Sequence, residues 1–318
     1  MESPTLKNRI FDFFQVKKNR VLVLTGLFVL AMILPFMANN YVLEIMSNVW
    51  FYVILCLGLN IVVGYAGLLD LGYAAFFAVG AYTTGILTAQ FNMNFWLTIP
   101  FAIVFSMLAG FIIGGPTLRL RSDYLAIVTL GFGEIVRITA RNMEITGGAS
   151  GLIGIERPSF FGIALNDISD FYFVFFILAL LAVFVSYRLQ NSRLGRAWKY
   201  VREDEDAAEA MGLNRIAVKL YAYIIGAVFG GIAGSFFAVK MTAISPETFM
   251  FTQSVLILLG VVLGGMGKIP GVIVGAFALI IFPEVFREIG SLRLLFFAVL
   301  MLLIMLYRPE GIWPEKRS

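Results

Sequence analysis

The 318-residue sequence has few charged residues for its length. Only 14% are Asp, Glu, Lys or Arg, whereas 60% are hydrophobic; an ordinary soluble domain has about 25% charged residues. Between residues 21 and 118 the only charged side chains are Glu44 and Asp70. So few polar groups cannot cover so much apolar surface in water. The composition therefore excludes a soluble enzyme, a disordered chain and a nucleic-acid-binding protein, and it predicts that lipid surrounds most of the chain.

The sequence also lacks the residues that most enzymes and metal sites use. It has no histidine, so the commonest general base and the commonest metal ligand are absent. The single cysteine, Cys56, lies in an apolar stretch, which excludes a disulfide framework and a thiolate metal cluster. We therefore expect no enzymatic activity, no directly bound cofactor and no metal site.

Long apolar runs predict an all-α fold, a polytopic bundle of about ten transmembrane helices (range eight to eleven). Each run is close to the roughly 17–25 residues that a helix needs to cross a bilayer. The first run exceeds the roughly 7–15 residues of a signal-peptide core, so we expect it to be retained. The predicted spans are 21–38, 43–64, 71–90, 96–115, 124–141, 171–189, 217–239, 251–265, 269–285 and 292–307.

The distribution of basic residues predicts the orientation of this bundle. If the spans alternate from an internal N-terminus, 18 of the 24 Lys and Arg residues fall on the inner side. Such an excess is typical of cytoplasmic segments, so both termini are predicted to be cytoplasmic. The predicted organisation is a cytoplasmic segment over 1–20 followed by a single membrane domain over 21–318.

Two long polar loops interrupt the apolar pattern, one outside over 142–170 and one inside over 190–216. The inner loop contains E-D-A-A-E-A-M-G-L-N over 205–214. Acidic residues at the start and Gly212 near the end are typical of a short helix. Its alanines would give a smooth surface suited to a groove on another protein, and a solvated surface helix is the alternative.

Isolated charges inside apolar spans need partners, because an unpaired charge there costs at least about 2.5 kcal/mol. Glu134 and Arg137 are three residues apart and share a helix face. We favour an internal ion pair that locks the helix, with recognition of an amino acid's charged groups as the alternative. Asp70 is expected to act as the N-cap of a half-helix that begins near Leu71; contact with a substrate ammonium is its alternative.

Glycine-rich segments show a weak internal repeat in the two halves of the chain. A Gly-x-x-Gly step interrupts an apolar run at Gly64 and Gly67, and again at Gly264 and Gly267. Matching breaks in two halves of a chain are typical of transport pathways, although chance is an equal explanation. The outer loop begins with Thr146-Gly147-Gly148, which predicts either a flexible turn or a backbone nest for a carboxylate.

The inner-loop motif carries a family resemblance. The run E-D-A-A-E-A-M-G-L-N resembles the EAA-type loop of ABC importer permeases. Together with G-Y-A-G-L-L-D-L-G over 64–72, Y-L-A-I-V-T-L-G-F-G-E-I-V-R-I over 124–138 and T-G-G over 146–148, the sequence resembles the branched-chain amino acid permease family, LivM type. The resemblance extends from about residue 50 to the C-terminus. The sequence departs from the wider EAA pattern, because no I-x-L-P ending follows Asn214.

The resemblance implies a permease subunit of an ABC importer in the bacterial inner membrane, with a coupling loop over 190–216. The implied partners are a second permease of LivH type as a heterodimer, two cytoplasmic ATPase subunits that use ATP-Mg, a periplasmic substrate-binding protein and membrane lipid, without nucleic acid. The implied coupling residues are Glu205, Ala207, Ala208, Glu209, Ala210 and Gly212. The candidate pathway residues are Gly67, Asp70, Glu134, Arg137, Thr146, Gly147 and Gly148.

The sequence has no nucleotide-binding motif of its own. A P-loop requires G-x-x-x-x-G-K-[ST], but the only Gly-Lys pair, Gly267-Lys268, is followed by Ile269. ATP hydrolysis must therefore come from a partner. The implied substrates are branched-chain or other hydrophobic amino acids, with urea or short amides as alternatives. An ion-coupled secondary transporter is a further alternative, and it would have no use for the loop over 205–214.

Overall fold

A computed structural model describes residues 31–118, 122–160 and 163–287, with the isolated positions 29, 290, 298, 299, 302, 306 and 311. The predicted cytoplasmic segment 1–20, most of the first predicted span and nearly all of the span 292–307 lie outside the described residues.

Helices dominate the described chain. Residues 31–37 are helical. They are followed by α1 (Asn40–Asn60), a π-helix (Ile61–Tyr65), α2 (Ala74–Ala89), α3 (Phe95–Thr117), α4 (Ser122–Asn142), α5 (Ile168–Gln190), α6 (Arg193–Glu203), α7 (Glu205–Ala210), α8 (Arg215–Met241), α9 (Phe251–Gly264) and α10 (Ile269–Val285). Single 3₁₀ turns cover Glu144–Thr146, Gly148–Ser150 and Pro246–Phe249. The part of the chain that the structure describes also has four two-residue strands, β1 (Leu152–Ile153), β2 (Ser159–Phe160), β3 (Ile163–Ala164) and β4 (Ala243–Ile244).

The predicted spans between residues 43 and 285 each correspond to one apolar helix or to α4. Within the described ranges, four segments are long and apolar enough to cross a membrane: Asn40–Tyr65, Phe95–Thr117, Ile168–Gln190 and Arg215–Met241. The helices α2, α9 and α10 are apolar but shorter. The all-α, multi-pass architecture is thus confirmed.

Helix α8 lies at the centre of the bundle and packs against α1, α2 and α3. Its close contact with α2 depends on glycine, because a Cβ on Gly80 would overlap the carbonyl of Gly231. A Cβ on Gly234 would in the same way overlap the carbonyl of Phe77. The glycines that recur every four residues along α8 therefore serve helix packing, as small residues commonly do in membranes.

Both Gly-x-x-Gly steps coincide with breaks in the helices. Helix α1 widens into the π-helix, and residues 66–73 are then largely irregular before α2 begins. The second break, over 265–268, separates α9 from α10. Gly67, Gly265 and Gly267 have φ of +71°, +107° and +82°, a left-handed backbone that side chains rarely adopt. Irregular backbone among membrane helices is tolerated where it is enclosed by protein or lines a cavity.

The inner loop 190–216 is mostly helical, because besides the predicted short helix it contains α6, which the sequence did not predict. Helix α6 fills its first half, because the buried indole of Trp198 packs against the bundle and donates a hydrogen bond of 2.8 Å to the carbonyl of Val218. The outer loop 142–170 also contains unpredicted strand pairs. There, β1 pairs antiparallel with β4 and β2 pairs antiparallel with β3. The β1–β4 pair ties the outer loop to the chain that follows α8.

Candidate functional site

Helix α7 is the short acidic helix that the sequence of the inner loop predicted. Its N-cap is Asp204, whose Oδ1 accepts hydrogen bonds of 3.0 Å from the backbone N–H groups of Asp206 and Ala207. Gly212 follows the helix with φ of +85° and allows the chain to turn into α8. Caps at both ends give this six-residue helix a defined shape and a defined start for the next one.

Ion pairs fix α7 to the start of α8. Glu205 lies 2.6 Å from the buried Nζ of Lys219, and Glu209 lies 3.2 Å from Nε of Arg215. Asp206 lies 3.4 Å from Nη1 of the same arginine. Because these contacts join consecutive helices, we expect a force applied to α7 to reach α8 directly.

The two faces of α7 differ, and this corrects one predicted coupling residue. Ala208 is only 3% exposed, so it packs inside this chain and offers no surface to a partner. Its neighbours Ala207 and Ala210 are exposed, as are Glu209 and Gly212. The sequence motif does not distinguish its alanines. In the folded helix Ala208 faces the bundle, whereas Ala207 and Ala210, three residues apart, both face outward.

Asp70 lies in the first helix break and is not an N-cap, contrary to the prediction. Its Oδ1 accepts a hydrogen bond of 2.8 Å from the N–H of Gly72, and the residue is only 1% exposed. Helix α2 begins at Ala74, whose N–H donates instead to Oγ of Ser254, at 2.9 Å. The carboxylate therefore closes a local turn before the helix starts.

Leu71 and Gly72, which the predicted span 71–90 had included in a helix, instead contact α4. The N–H of Leu71 donates to Oγ1 of Thr129, at 3.1 Å. Gly72 lies so close to α4 that a Cβ would overlap the carbonyl of Thr129. These contacts with a distant helix replace the first turn that the sequence suggested for α2.

The two helix breaks lie against each other at the end of the bundle near α7. The N–H of Gly267 donates a hydrogen bond of 2.8 Å to Oδ1 of Asn60, at the end of α1. A Cβ on Gly64 would lie 2.5 Å from the nitrogen of Gly267. The exposed Gly67 lies in the same region. The two Gly-x-x-Gly steps that repeat in the sequence are therefore in contact in the fold.

An ion-pair cluster lies near the other end of the bundle. Arg137 is 2.8 Å from Glu134, the internal pair that the spacing favoured. It is also 3.5 Å from Glu247 in the 3₁₀ turn after α8, and Arg141 is 3.6 Å from the same glutamate. The cluster thus joins α4 to the segment that leads into α9.

We expect the Arg137–Glu247 contact to contribute modestly to stability. Arg137→Met should lower the free energy of unfolding in detergent by about 1 kcal/mol, since both charges are partly exposed. Glu247→Gln should cost less, because Arg137 keeps Glu134. A double-mutant cycle on thermal unfolding measures the coupling between them. Additive effects of the two substitutions would contradict the proposed pair.

The Thr146-Gly147-Gly148 segment forms a turn whose polar groups bond internally. Oγ1 of the buried Thr146 donates to the carbonyls of Ala140 and Met143, at 2.5 and 2.7 Å. The N–H groups of Gly147 and Gly148 donate to Glu144 and Met143. With these N–H groups engaged, the segment is a compact turn and not an open carboxylate nest.

Known proteins resemble this chain over most of its length. Residues 41–306 match the family described as "Branched-chain amino acid transport system / permease component". The chain belongs to this permease family. It is 43% identical to the high-affinity branched-chain amino acid transport system permease protein LivM of Escherichia coli K12, covering 93% of this chain and 75% of that protein. No solved structure matches it.

More distant relatives include both permease types. A probable branched-chain amino acid transport permease protein LivM of Methanocaldococcus jannaschii is 28% identical over 85% of this chain and 93% of that protein. The E. coli K12 permease protein LivH is 24% identical over 82% of this chain and 90% of its own length. The resemblance to the branched-chain amino acid permease family, LivM type, is thus confirmed.

Sequence reasoning missed four residues that hold the candidate sites of this permease together. Lys219 lies inside the predicted span 217–239, and an intramembrane lysine requires a partner, which is Glu205. Trp198 and Val201 are buried three residues apart within a basic segment, an amphipathic signal that identifies α6. Glu247 carried no local signal, because its partners lie about one hundred residues earlier.

Proposed function

We propose that this permease is a subunit of an ABC importer in the bacterial inner membrane and carries branched-chain or other hydrophobic amino acids inward. The observation that carries the proposal is the exposed alanine face of α7 on a helix fixed to α8 by ion pairs. An ATPase cleft would take such a small, smooth surface. The names of the relatives, branched-chain amino acid transport permeases, support the substrate class.

The proposed topology has ten spans with both termini in the cytoplasm. We count the shorter helices α2, α9 and α10 as spans. The irregular segments 66–73, before α2, and 265–268, after α9, would cross the part of the bilayer that these two helices are too short to cover. An even number of spans places the basic segments of both ends and α7 on one side. The turn over 144–151 and the β1–β4 pair would then face the periplasm.

The proposed complex contains a second permease, two ATPase subunits and a periplasmic binding protein. The presence of LivM and LivH proteins among the relatives supports a pair of different permeases. Hydrolysis of ATP-Mg would occur in the ATPase subunits. The binding protein would deliver the amino acid to the outer end, where α4 and the turn after α8 are joined by Arg137 and Glu247.

Transport would proceed by alternating access. ATP binding would draw the two ATPases together and displace α7 in each permease. The ion pairs from Glu205 and Glu209 would pass the displacement to α8, which packs along α1, α2 and α3. The pathway would run beside the two helix breaks near Gly67, with Asp70 shaping the first break.

Uptake by the reconstituted importer tests this function. Proteoliposomes containing both permeases and both ATPases should accumulate labelled leucine only when ATP is inside and the binding protein is outside. Unlabelled isoleucine and valine should compete for uptake, while urea and acetamide should not. Leucine uptake driven by an ion gradient without ATP would contradict the proposal, and competition by urea or acetamide would reassign the substrate.

A further inference from the structure

Arg202 connects the end of α6 to the helix breaks. It lies two residues before Asp204, the N-cap of α7, so one non-helical residue separates its helix from α7. Helix α6 is anchored by Trp198, which stacks on Tyr65 with ring centroids 6.3 Å apart and planes at 11°. Helix α6 therefore places Arg202 at a fixed height beside the end of the π-helix.

The side chain of Arg202 reaches between the two breaks. Its Nη1 donates a hydrogen bond of 2.5 Å to the carbonyl of Gly64 in the first break. A Cβ built on Gly267, in the second break, would lie 3.2 Å from the same Nη1. One built on Gly67 would lie 2.8 Å from Cγ of Arg202. The arginine thus contacts both breaks, and a side chain at Gly67 would crowd it.

The surrounding polar contacts also join these segments. Asn60 accepts from the N–H of Gly267 at 2.8 Å, and Nε2 of Gln190, at the end of α5, donates to the carbonyl of Gly267 at 3.3 Å. A charged donor bonds a carbonyl more strongly than these neutral groups do. The bond from Arg202 is therefore the contact whose loss would most weaken the junction.

We propose that Arg202 is a positioning residue that couples the displacement of α7 to both helix breaks. The inference rests on the proposed importer function and adds a connection that α7 and α8 do not supply. A displacement of α6 with α7 draws the guanidinium away from Gly64 and Gly267. The two breaks then lose their shared charged contact, and the inner end of the pathway changes shape when the ATPases move.

The test compares Arg202→Met with Arg196→Met in the complete reconstituted importer. Arg196 lies on the same helix, and among the described residues its side chain donates only to the nearby carbonyl of Asn191, at 3.3 Å, so its replacement is a matched loss of charge. We measure the amount of assembled complex, the ATPase rate and the leucine imported for each ATP hydrolysed. Arg202→Met should lower this last ratio about tenfold while assembly is kept. Arg196→Met should leave it within about twofold.

Arg202→Lys extends the test if the methionine variant fails to assemble. Lysine keeps the charge but lacks the planar fork of arginine, so the ratio should again fall. A normal ratio in assembled Arg202→Met, or in Arg202→Lys if only that variant assembles, would overturn the proposal. Failure of the importer function itself would be distinct, because the unaltered complex would then show no ATP-driven uptake.

Discussion

Replacing Ala210 with tryptophan is expected to lower ATP-driven leucine uptake by about a hundredfold, equivalent to about 3 kcal/mol of lost coupling. Ala210 and Ala207 form the exposed face of α7, while Ala208 is buried on the opposite face. An indole at position 210 would hold the ATPase away from the helix. The permease fold should be unaffected, since the side chain points out of this chain. Uptake and co-purification of the ATPase measure the effect.

Two further tryptophan variants serve as controls. Tyr200→Trp alters an exposed aromatic residue on α6 and should leave uptake within about twofold. Ala208→Trp should instead reduce the amount of folded permease, because an indole cannot fit at a buried alanine beside the ion pairs. Normal uptake by an ATPase-containing Ala210→Trp complex would show that α7 is not the docking surface.

Replacing Asp70 with alanine is expected to destabilise the permease by about 2–3 kcal/mol. The substitution removes the acceptor for the N–H of Gly72 at a site that is only 1% exposed. Water cannot readily replace it, and the irregular chain before α2 loses the bond that closes its turn. Thermal unfolding in detergent and the yield of monodisperse protein should both fall.

Asp70→Asn separates this structural role from a role in substrate contact. The amide keeps an oxygen that can accept from Gly72, so this variant should fold and transport nearly as the unaltered permease does. A well-folded Asp70→Asn variant without uptake would show that the negative charge itself is required. That result would contradict the assignment of Asp70 to the turn and return it to the substrate pathway.

Features set by local pattern could be predicted from the sequence. The lengths of the apolar runs located α1–α5 and α8–α10, because a helix that crosses the bilayer needs an apolar run of a fixed length. The three-residue spacing of Glu134 and Arg137 predicted their ion pair. The two Gly-x-x-Gly steps predicted the breaks. Gly67 and Gly267 have a left-handed backbone, and a Cβ on Gly64 or Gly264 would overlap neighbouring backbone atoms.

Features set by distant contacts could not be predicted. Asp70 resembles an N-cap in sequence, but the hydroxyl of Thr129 in α4 accepts from the N–H of Leu71, and α2 starts only at Ala74. Ala208 is indistinguishable from Ala207 by type, and only its packing inside the chain separates them. In the sequence Arg202 is one of several basic residues in its segment. Only the fold, which places it beside the carbonyl of Gly64, distinguishes it.

Site-directed cross-linking from α7 tests the central claim most directly. Cys56 is the sole cysteine and is buried, so Ala210→Cys provides one accessible thiol for a photoreactive maleimide. Ile153→Cys is the control, because Ile153 is exposed at the opposite end of α8. In the assembled importer, the label at position 210 should cross-link to an ATPase subunit and the label at position 153 should not. Absence of the ATPase adduct from position 210, or equal adducts from both positions, would contradict the claim that α7 is the docking surface of an ATP-driven importer.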